Sequence, residues 1–79
     1  MARIDLDSIQ RIEKEKNSIH AKVKATYTVF HYAEEKYVQI DTYGKSDREM
    51  PEKISQSFQL DEESARFLVK LLIKEFDLL

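Results

Sequence analysis

The last nineteen residues constrain the fold more than any other part of the chain, because they predict one long amphipathic helix. Asp61 is suited to the N-cap, where its carboxylate accepts a hydrogen bond from a free backbone N–H. Glu62 and Glu63 follow it and complement the positive end of the helix dipole. We therefore predict a helix from Asp61 to about Phe76. Its solvent-facing stripe has i, i+4, i+8 spacing and consists of Arg66, Lys70 and Lys74.

The apolar side of this helix is broader than one sheet face requires. Packing on a sheet uses about a third of the helix circumference, and here the apolar residues cover considerably more. Either the N-terminal segment covers the surplus or a second subunit does, and we favour a homodimer. The apolar residues are Ala65, Phe67, Leu68, Val69, Leu71, Leu72, Ile73 and Phe76. The predicted dimer interface consists of Phe67, Leu71, Leu72 and Phe76.

Upstream of the helix, apolar and polar residues alternate along the chain and predict a β-hairpin. From Ile19 to Tyr32 the odd positions are mostly apolar and the even positions mostly polar, as expected for a strand with one buried face. The polar residues 33–36 form the predicted turn, and Tyr37 to Tyr43 form the returning strand. After a ten-residue loop from Gly44 to Lys53, a third strand is predicted from Ile54 to Leu60.

The N-terminal segment has a weaker pattern. Leu6, Ile9 and Ile12 are spaced for one helical face, with a cap available at Asp7 or Ser8, so we predict a short helix between residues 7 and 16. The predicted fold is a single α+β domain over residues 1–79. It has a three- to four-stranded antiparallel sheet, a C-terminal amphipathic helix and a short N-terminal helix.

Composition narrows the class of protein. A chain of 79 residues supports one modest core, and without cysteine it gains no disulfide or Cys-based zinc site. No apolar run approaches the roughly 20 residues that span a bilayer, and the first residues lack a signal-peptide pattern, so we expect a cytoplasmic protein. The net charge of −2 lacks the basic excess of typical DNA binders, so a nucleic-acid role needs a local basic patch.

Catalytic and metal chemistry have little support in the sequence. His20 and His31 fall on opposite faces of the predicted strand, and neither has an orienting acid or an oxyanion hole. The acids of the loop, Asp47, Glu49 and Glu52, alternate with basic residues that would pair with them. One glycine cannot form a phosphate-binding loop. We therefore expect no enzyme activity, no metal and no cofactor.

The polar face of the predicted sheet is the best candidate binding surface. Aromatic rings beside lysines and amide or hydroxyl donors are what a sequence-tolerant single-strand binder uses. An ordinary solvated sheet face has the same composition, and Asp41 on this face would repel phosphate. The alternative function is a dimeric protein-interaction module or a small regulator that docks on a host protein. The polar face consists of Lys22, Lys24, Thr26, Thr28, Tyr37, Gln39, Tyr43, Ser55, Ser57 and Gln59.

The stretch from Tyr37 to Phe76 resembles the single-stranded-DNA-binding coactivators of the positive-cofactor-four type. The resemblance lies in residues 38–41, in Met50-Pro51-Glu52-Lys53-Ile54, and in the final strand running into the acidic cap, residues 58–63. It implies a homodimer whose strands line a DNA groove. The phosphate contacts that it implies are Lys22, Lys24, Lys45, Arg48 and Lys53.

The chain also looks like a group of short, uncharacterised bacterial proteins. The similarity lies in Asp-Thr-Tyr-Gly at residues 41–44 and Ser-Gln-Ser at residues 55–57. This second resemblance implies no activity.

Overall fold

Four strands and one helix make up the computed structural model, which describes residues 1–44 and 53–79. The strands are β1 (Ala2–Arg3), β2 (Ala25–Tyr32), β3 (Glu35–Tyr43) and β4 (Ile54–Leu60), and the helix is α1 (Glu62–Phe76). They form one sheet in the order β1-β4-β3-β2. The predicted α+β class, the C-terminal helix and the bounds of β4 are confirmed.

The hairpin of β2 and β3 turns more tightly than we predicted. Ala33 and Glu34 form the turn with φ angles of 51° and 66°, so both occupy the left-handed region. A two-residue turn of this kind matches the right-handed twist of the strands that it connects. Glu35 and Lys36, which we had assigned to the turn, therefore belong to β3 and pair with Tyr32 and His31.

The predicted purely antiparallel sheet is wrong, because the N-terminus adds a parallel strand. Ala2 and Arg3 pair in parallel with Phe58 and Gln59, and the backbone N–H of Ile4 donates to the carbonyl of Gln59 at 3.0 Å. The sheet is therefore mixed. A two-residue strand is too short to produce alternation in the sequence, so the pattern could not reveal it.

The predicted N-terminal helix is also wrong. Residues 4–24 contain neither helix nor strand, and Ile9 and Ile12 are exposed. An isolated helix of about ten residues is marginal in water unless its apolar side is buried. The predicted first strand is shorter at the same end, starting at Ala25 rather than Ile19. Its partner β3 ends at Tyr43, which donates its N–H to the carbonyl of Lys24 at 3.0 Å.

Helix α1 begins where the sequence predicts, at a closed capping box. The backbone N–H of Ser64 donates to Asp61 Oδ1 at 2.9 Å, and the backbone N–H of Asp61 donates to Ser64 Oγ at 3.0 Å. The helix ends at Asp77, a left-handed residue whose N–H donates to the Ile73 carbonyl. Within the described residues, no helix combines the length and apolar character that crossing a membrane requires.

The N-cap makes a pH-dependent contribution to stability. Hydrogen bonds from Ser64 hold the pKa of Asp61 below its ordinary value of 3.8, since they favour the charged carboxylate. A lowered pKa means that this stabilisation is complete above about pH 3.8 and is lost as the pH falls through the folded-state value. We expect Asp61→Asn, which keeps an acceptor but not the charge, to cost about 0.5 kcal/mol at pH 7.

Thermal unfolding of both proteins by circular dichroism between pH 7 and pH 2.5 measures this difference. The gap between wild type and Asp61→Asn should close at the acid end. A gap that persists unchanged at pH 2.5 would show that the carboxylate charge is not responsible. Asp61→Ala is the matched variant without an acceptor and should cost about 1 kcal/mol at neutral pH.

A single chain buries little apolar surface. Among the described residues, Tyr37 is the one apolar side chain that is buried, with 7% of its surface exposed. The accessible surface is 7676 Å², whereas a compact monomer of 9.4 kDa has about 5,000 Å². The radius of gyration is 15.0 Å, against about 12 Å for a compact chain of this length. Much of the apolar surface of α1 and of the sheet therefore lies open.

Candidate nucleic-acid interface

The strand register gathers the predicted polar face onto one side of the sheet. Thr26 pairs with Asp41 and Thr28 with Gln39, while Gln39 pairs on its other side with Gln59. Directly paired residues point to the same face, so these side chains form one surface. A β-bulge interrupts this order between Thr42 and Tyr43. Phe30 and Tyr32 lie on the same side near the hairpin turn. We call the polar part of this surface the polar face; it comprises Arg3, Lys24, Thr26, Thr28, Tyr37, Gln39, Asp41, Tyr43, Ser57 and Gln59.

A chain of amide and carboxylate hydrogen bonds runs across the middle of the polar face. Gln59 Nε2 donates to Gln39 Oε1 at 2.7 Å, and Gln39 Nε2 donates to Asp41 Oδ1 at 2.9 Å. Ser57 Oγ donates to the same carboxylate oxygen at 2.5 Å. Asp41 is 6% exposed, so its carboxylate is largely withdrawn from any ligand above the sheet. Hydrogen bonds from Gln39 and Ser57 offset part of the carboxylate charge, and the repulsion of phosphate by Asp41 stays a prediction.

A cation lies over an aromatic ring at each end of β3. Lys24 Nζ is 5.1 Å from the centroid of the Tyr43 ring, and the Tyr43 hydroxyl lies 3.1 Å from Thr26 Oγ1. At the other end, the Arg3 guanidinium is 5.8 Å from the centroid of Tyr37. Six residues of extended chain separate the two rings, which is a span of about 20 Å. Each end of β3 thus has one cation on this side of the sheet, and at the Tyr37 end Glu35 accompanies Arg3, since the Tyr37 hydroxyl bonds both.

The two aromatic rings differ in what they can offer a ligand. Tyr37 is buried, since Phe30 stacks against it with 5.4 Å between ring centroids and Arg3 lies across it. Its hydroxyl donates to Glu35 and accepts from Arg3. Tyr37 is therefore a structural residue, whereas Tyr43 is only half-buried and keeps part of its ring accessible.

A shallow depression lies beside the amide chain. It has a volume of about 240 Å³ and is lined by residues 1–3, Gln39, Ser57 and Gln59. The lining combines a guanidinium with amide and hydroxyl groups, which are the groups that hydrogen-bond base edges and phosphates. Met1 and Ala2 add apolar surface beside these groups, so the depression is of mixed character.

Two of the other lysines predicted to contact nucleic acid lie outside the polar face. Lys22 is exposed in the segment before β2, and Lys53 is exposed immediately before β4. Lys45 and Arg48 lie outside the described residues, as does most of the predicted loop, so the structure does not place them. Of the eight predicted contacts, the polar face brings together Lys24, Tyr37, Gln39 and Tyr43.

Arg3 is the residue of the polar face that sequence analysis missed. It reaches the face only because β1 pairs with β4, which aligns Arg3 with Gln59. Nothing in the local sequence marks a two-residue parallel strand. The only usable signal is that Arg3 lies between apolar residues, in Ala2-Arg3-Ile4, as strand residues with one wet face often do.

A second depression lies near the hairpin turn and has the opposite character. It has a volume of about 450 Å³, and its lining is mostly carboxylate. Such a surface repels phosphate, and Glu35 and Asp61 lie close enough to Arg3 to offset part of its charge. No group of metal-ligating residues occurs in the part of the chain that is described. The lining residues are Glu34, Glu35, Lys36, Asp61, Glu62 and Glu63.

The N-terminal segment lies beside helix α1 without covering its apolar side. Residues 9–11 and α1 border a depression of about 340 Å³ that Phe67 and Leu71 line, and Arg11 Nη1 lies 3.4 Å from Glu75 Oε2. Leu72 stays exposed, and 69% of Phe76 is accessible. Both alternatives for the surplus apolar surface are therefore still open, since the segment occupies only part of it.

Comparison with known proteins identifies no relative. No protein-family model matches the chain, and no curated protein or solved structure does so either. The two resemblances noted from the sequence therefore stay predictions.

Proposed function

We propose that this chain is a cytoplasmic, non-enzymatic protein that binds single-stranded nucleic acid on its polar face. One observation carries the proposal: two cation–aromatic pairs, Lys24 with Tyr43 and Arg3 with Tyr37, stand at the ends of a strip of amide and hydroxyl groups. Basic groups that follow a backbone and rings on which bases stack are the two components of such sites.

Each component of the polar face has a separate task in this proposal. The accessible part of the Tyr43 ring stacks on one base, and Lys24 neutralises the neighbouring phosphate. Arg3 contacts a second phosphate at the far end of β3, where its guanidinium already lies against Tyr37. Gln59 and Gln39 contact base edges, and because their amides also bond each other, they discriminate weakly between bases. The site is therefore sequence-tolerant.

Electrostatics limit the strength of this binding. The chain has a net charge of −2, so attraction to phosphate comes from a few local cations rather than from the whole molecule. Each neutralised phosphate contributes about 0.7 to the slope of log K against log salt for a single strand. Two contacts per chain therefore give a shallow slope of about 1.4 and micromolar rather than nanomolar affinity.

We expect Tyr43→Ala to weaken binding of a labelled thymidine oligonucleotide by about tenfold, since stacking one base on a ring contributes about 1–3 kcal/mol. Fluorescence polarisation at low salt measures this change. Tyr43→Phe is the matched control, because it keeps the ring and removes only the hydroxyl that meets Thr26. It should bind within about twofold of wild type.

Lys24→Ala and Lys36→Ala separate a local contact from a general charge effect. Both remove one positive charge, but Lys36 pairs with His31 on the other face of the sheet. Lys24→Ala should lower the salt slope by about 0.7, and Lys36→Ala should leave it nearly unchanged. Wild-type protein that fails to bind at about 50 µM in low salt would refute the proposal. If Lys24→Ala and Lys36→Ala lower the salt slope equally, the polar face is not the binding site.

A second candidate function is protein binding through helix α1. The observation in its favour is the exposed apolar side of the helix, of which Phe67, Leu72 and Phe76 are the most accessible large residues inside the predicted dimer interface. Contiguous apolar surface of this kind is typical of interaction sites. A copy of the same chain or a different protein would serve as the partner in this alternative.

A further inference from the structure

Strand β2 forms an edge of the sheet, and no described residue outside the β2–β3 hairpin forms a backbone hydrogen bond with it. It is last in the strand order, and no other described strand lies beside its outer side. Its large side chains are accessible on both faces: Tyr27 is 75% exposed, Val29 50% and Tyr32 73%. An eight-residue edge is long for a small sheet, and an edge of this kind is a template for pairing with another strand.

The backbone of β2 presents free hydrogen-bonding groups at every second residue. The carbonyl of Lys24 accepts from the N–H of Tyr43, so the even-numbered residues of this ladder bond to β3. By the alternation of antiparallel pairing, the odd-numbered residues of β2, including Tyr27, Val29 and His31, direct their N–H and C=O groups away from β3. The outer edge is therefore a regular row of donors and acceptors.

This edge has none of the features that usually prevent pairing. Residues 25–32 read Ala-Thr-Tyr-Thr-Val-Phe-His-Tyr, without lysine, acid, proline or bulge. Proteins that must stay unpaired place charges or proline on such strands. A charged edge would repel its own copy, whereas this neutral edge, rich in aromatic and β-branched residues, can pair with an identical strand.

The open surface of the chain is large enough for a stable dimer. The accessible area exceeds that of a compact monomer of the same mass by about 2,700 Å². A standard interface takes about 800 Å² from each partner. The excess belongs to the whole chain, and the exposed side chains of β2, Tyr27, Val29 and Tyr32, are part of it.

We infer that a second copy of this chain pairs with the outer edge of β2, antiparallel and about a two-fold axis, so that two four-stranded sheets become one. Side chains keep their faces only if the numbers of two paired residues sum to an even number, which puts the axis on a residue. Pairing over most of Ala25–Tyr32 then requires that residue to be Thr28 or Val29, the two at the centre of β2. With the axis at Thr28, Tyr27 of one copy pairs with Val29 of the other. With the axis at Val29, Val29 pairs with Val29 and Tyr27 pairs with His31. This inference does not depend on nucleic-acid binding.

Two substitutions at Val29 test the pairing directly. Val29→Lys places two like charges close to the axis, and Val29→Pro removes an outward N–H while leaving the even-numbered bonds to β3. We expect light scattering on wild-type protein to give twice the 9.4 kDa chain mass. Both variants should give the mass of one chain, and the matched helix variant Phe76→Glu should keep the dimer mass.

The opposite pattern would overturn the inference. A wild-type mass of one chain at about 100 µM does so, as does a dimer that survives both Val29 variants. A dimer lost only in Phe76→Glu would place the interface on helix α1. Circular dichroism must show that the Val29 variants keep their strands and helix.

Hydrogen exchange on wild-type protein tests the same inference without a variant. If the edges pair, the amides of Tyr27, Val29 and His31 should exchange more than about tenfold faster on dilution to the monomer, while those of Thr28 and Phe30 stay protected by β3. Rapid exchange of the three outward amides at every protein concentration would overturn the pairing. Because this readout involves no ligand, its failure is distinguishable from a failure to bind nucleic acid.

Discussion

Tyr37→Ala should destabilise the fold by about 3 kcal/mol, the largest effect that we expect from a single substitution. Tyr37 is the one buried apolar side chain of the described residues, and its ring is enclosed by Phe30 on one side and Arg3 on the other. Truncation removes the ring contacts with Phe30 and Arg3 and exposes the surface that the ring covers. Urea unfolding monitored by circular dichroism measures the change as a shift in midpoint.

Two further variants show which part of Tyr37 matters. Tyr37→Phe keeps the ring and removes the hydroxyl that bonds Glu35 and Arg3, so it should cost about 1 kcal/mol or less. Tyr32→Ala makes the same truncation at an exposed site and should cost about 0.5 kcal/mol or less. If Tyr37→Ala costs no more than Tyr32→Ala, Tyr37 does not anchor the core.

Asp41→Ala should cost about 2 kcal/mol. The Asp41 carboxylate is buried and accepts hydrogen bonds from Gln39 on its own strand and from Ser57 on β4. Removing the acceptor leaves those two donors without their partner in a partly buried place, which is more costly than the loss of one exposed bond. The unfolding free energy of the purified variant measures the loss.

The chemistry of the replacement distinguishes the hydrogen bonds from the charge. Asp41→Asn retains an oxygen acceptor and should recover about half of the lost stability. Thr28→Ala changes an exposed residue of the same face and should be nearly neutral. An Asp41→Ala protein as stable as wild type would mean that water satisfies Gln39 and Ser57.

The parts of the fold that were predictable from the sequence are those with a local signal. The helix start was visible because the N-cap and the acidic first turn are short-range features of residues 61–63. The bounds of β4 follow from alternation between Ile54 and Leu60, and the polar face follows from alternation in β2 and β3. In each case the residues that signal the element are also the residues that form it.

The sequence predictions that are wrong concern segments whose structure depends on residues far away in the chain. The pattern of Ile19 to Lys24 is that of a strand, but the described chain supplies no strand to pair with it. The spacing of Leu6, Ile9 and Ile12 suits a helix, but Ile9 and Ile12 stay exposed in the described structure. Arg3 and Tyr37 meet through a parallel pairing that no local pattern encodes. The roles of Tyr37 and Asp41 were likewise missed, because burial depends on neighbours from other strands.

The pairing of β1 with β4 also sets the order in which the sheet can assemble. Ala2 pairs with Phe58, 56 positions later in the chain, whereas the β2–β3 hairpin closes over only two residues. Contacts between distant residues form late, because the chain must first lose the entropy of closing a long loop. Arg3 is therefore among the last residues to reach its place, and the polar face gains its guanidinium late in folding.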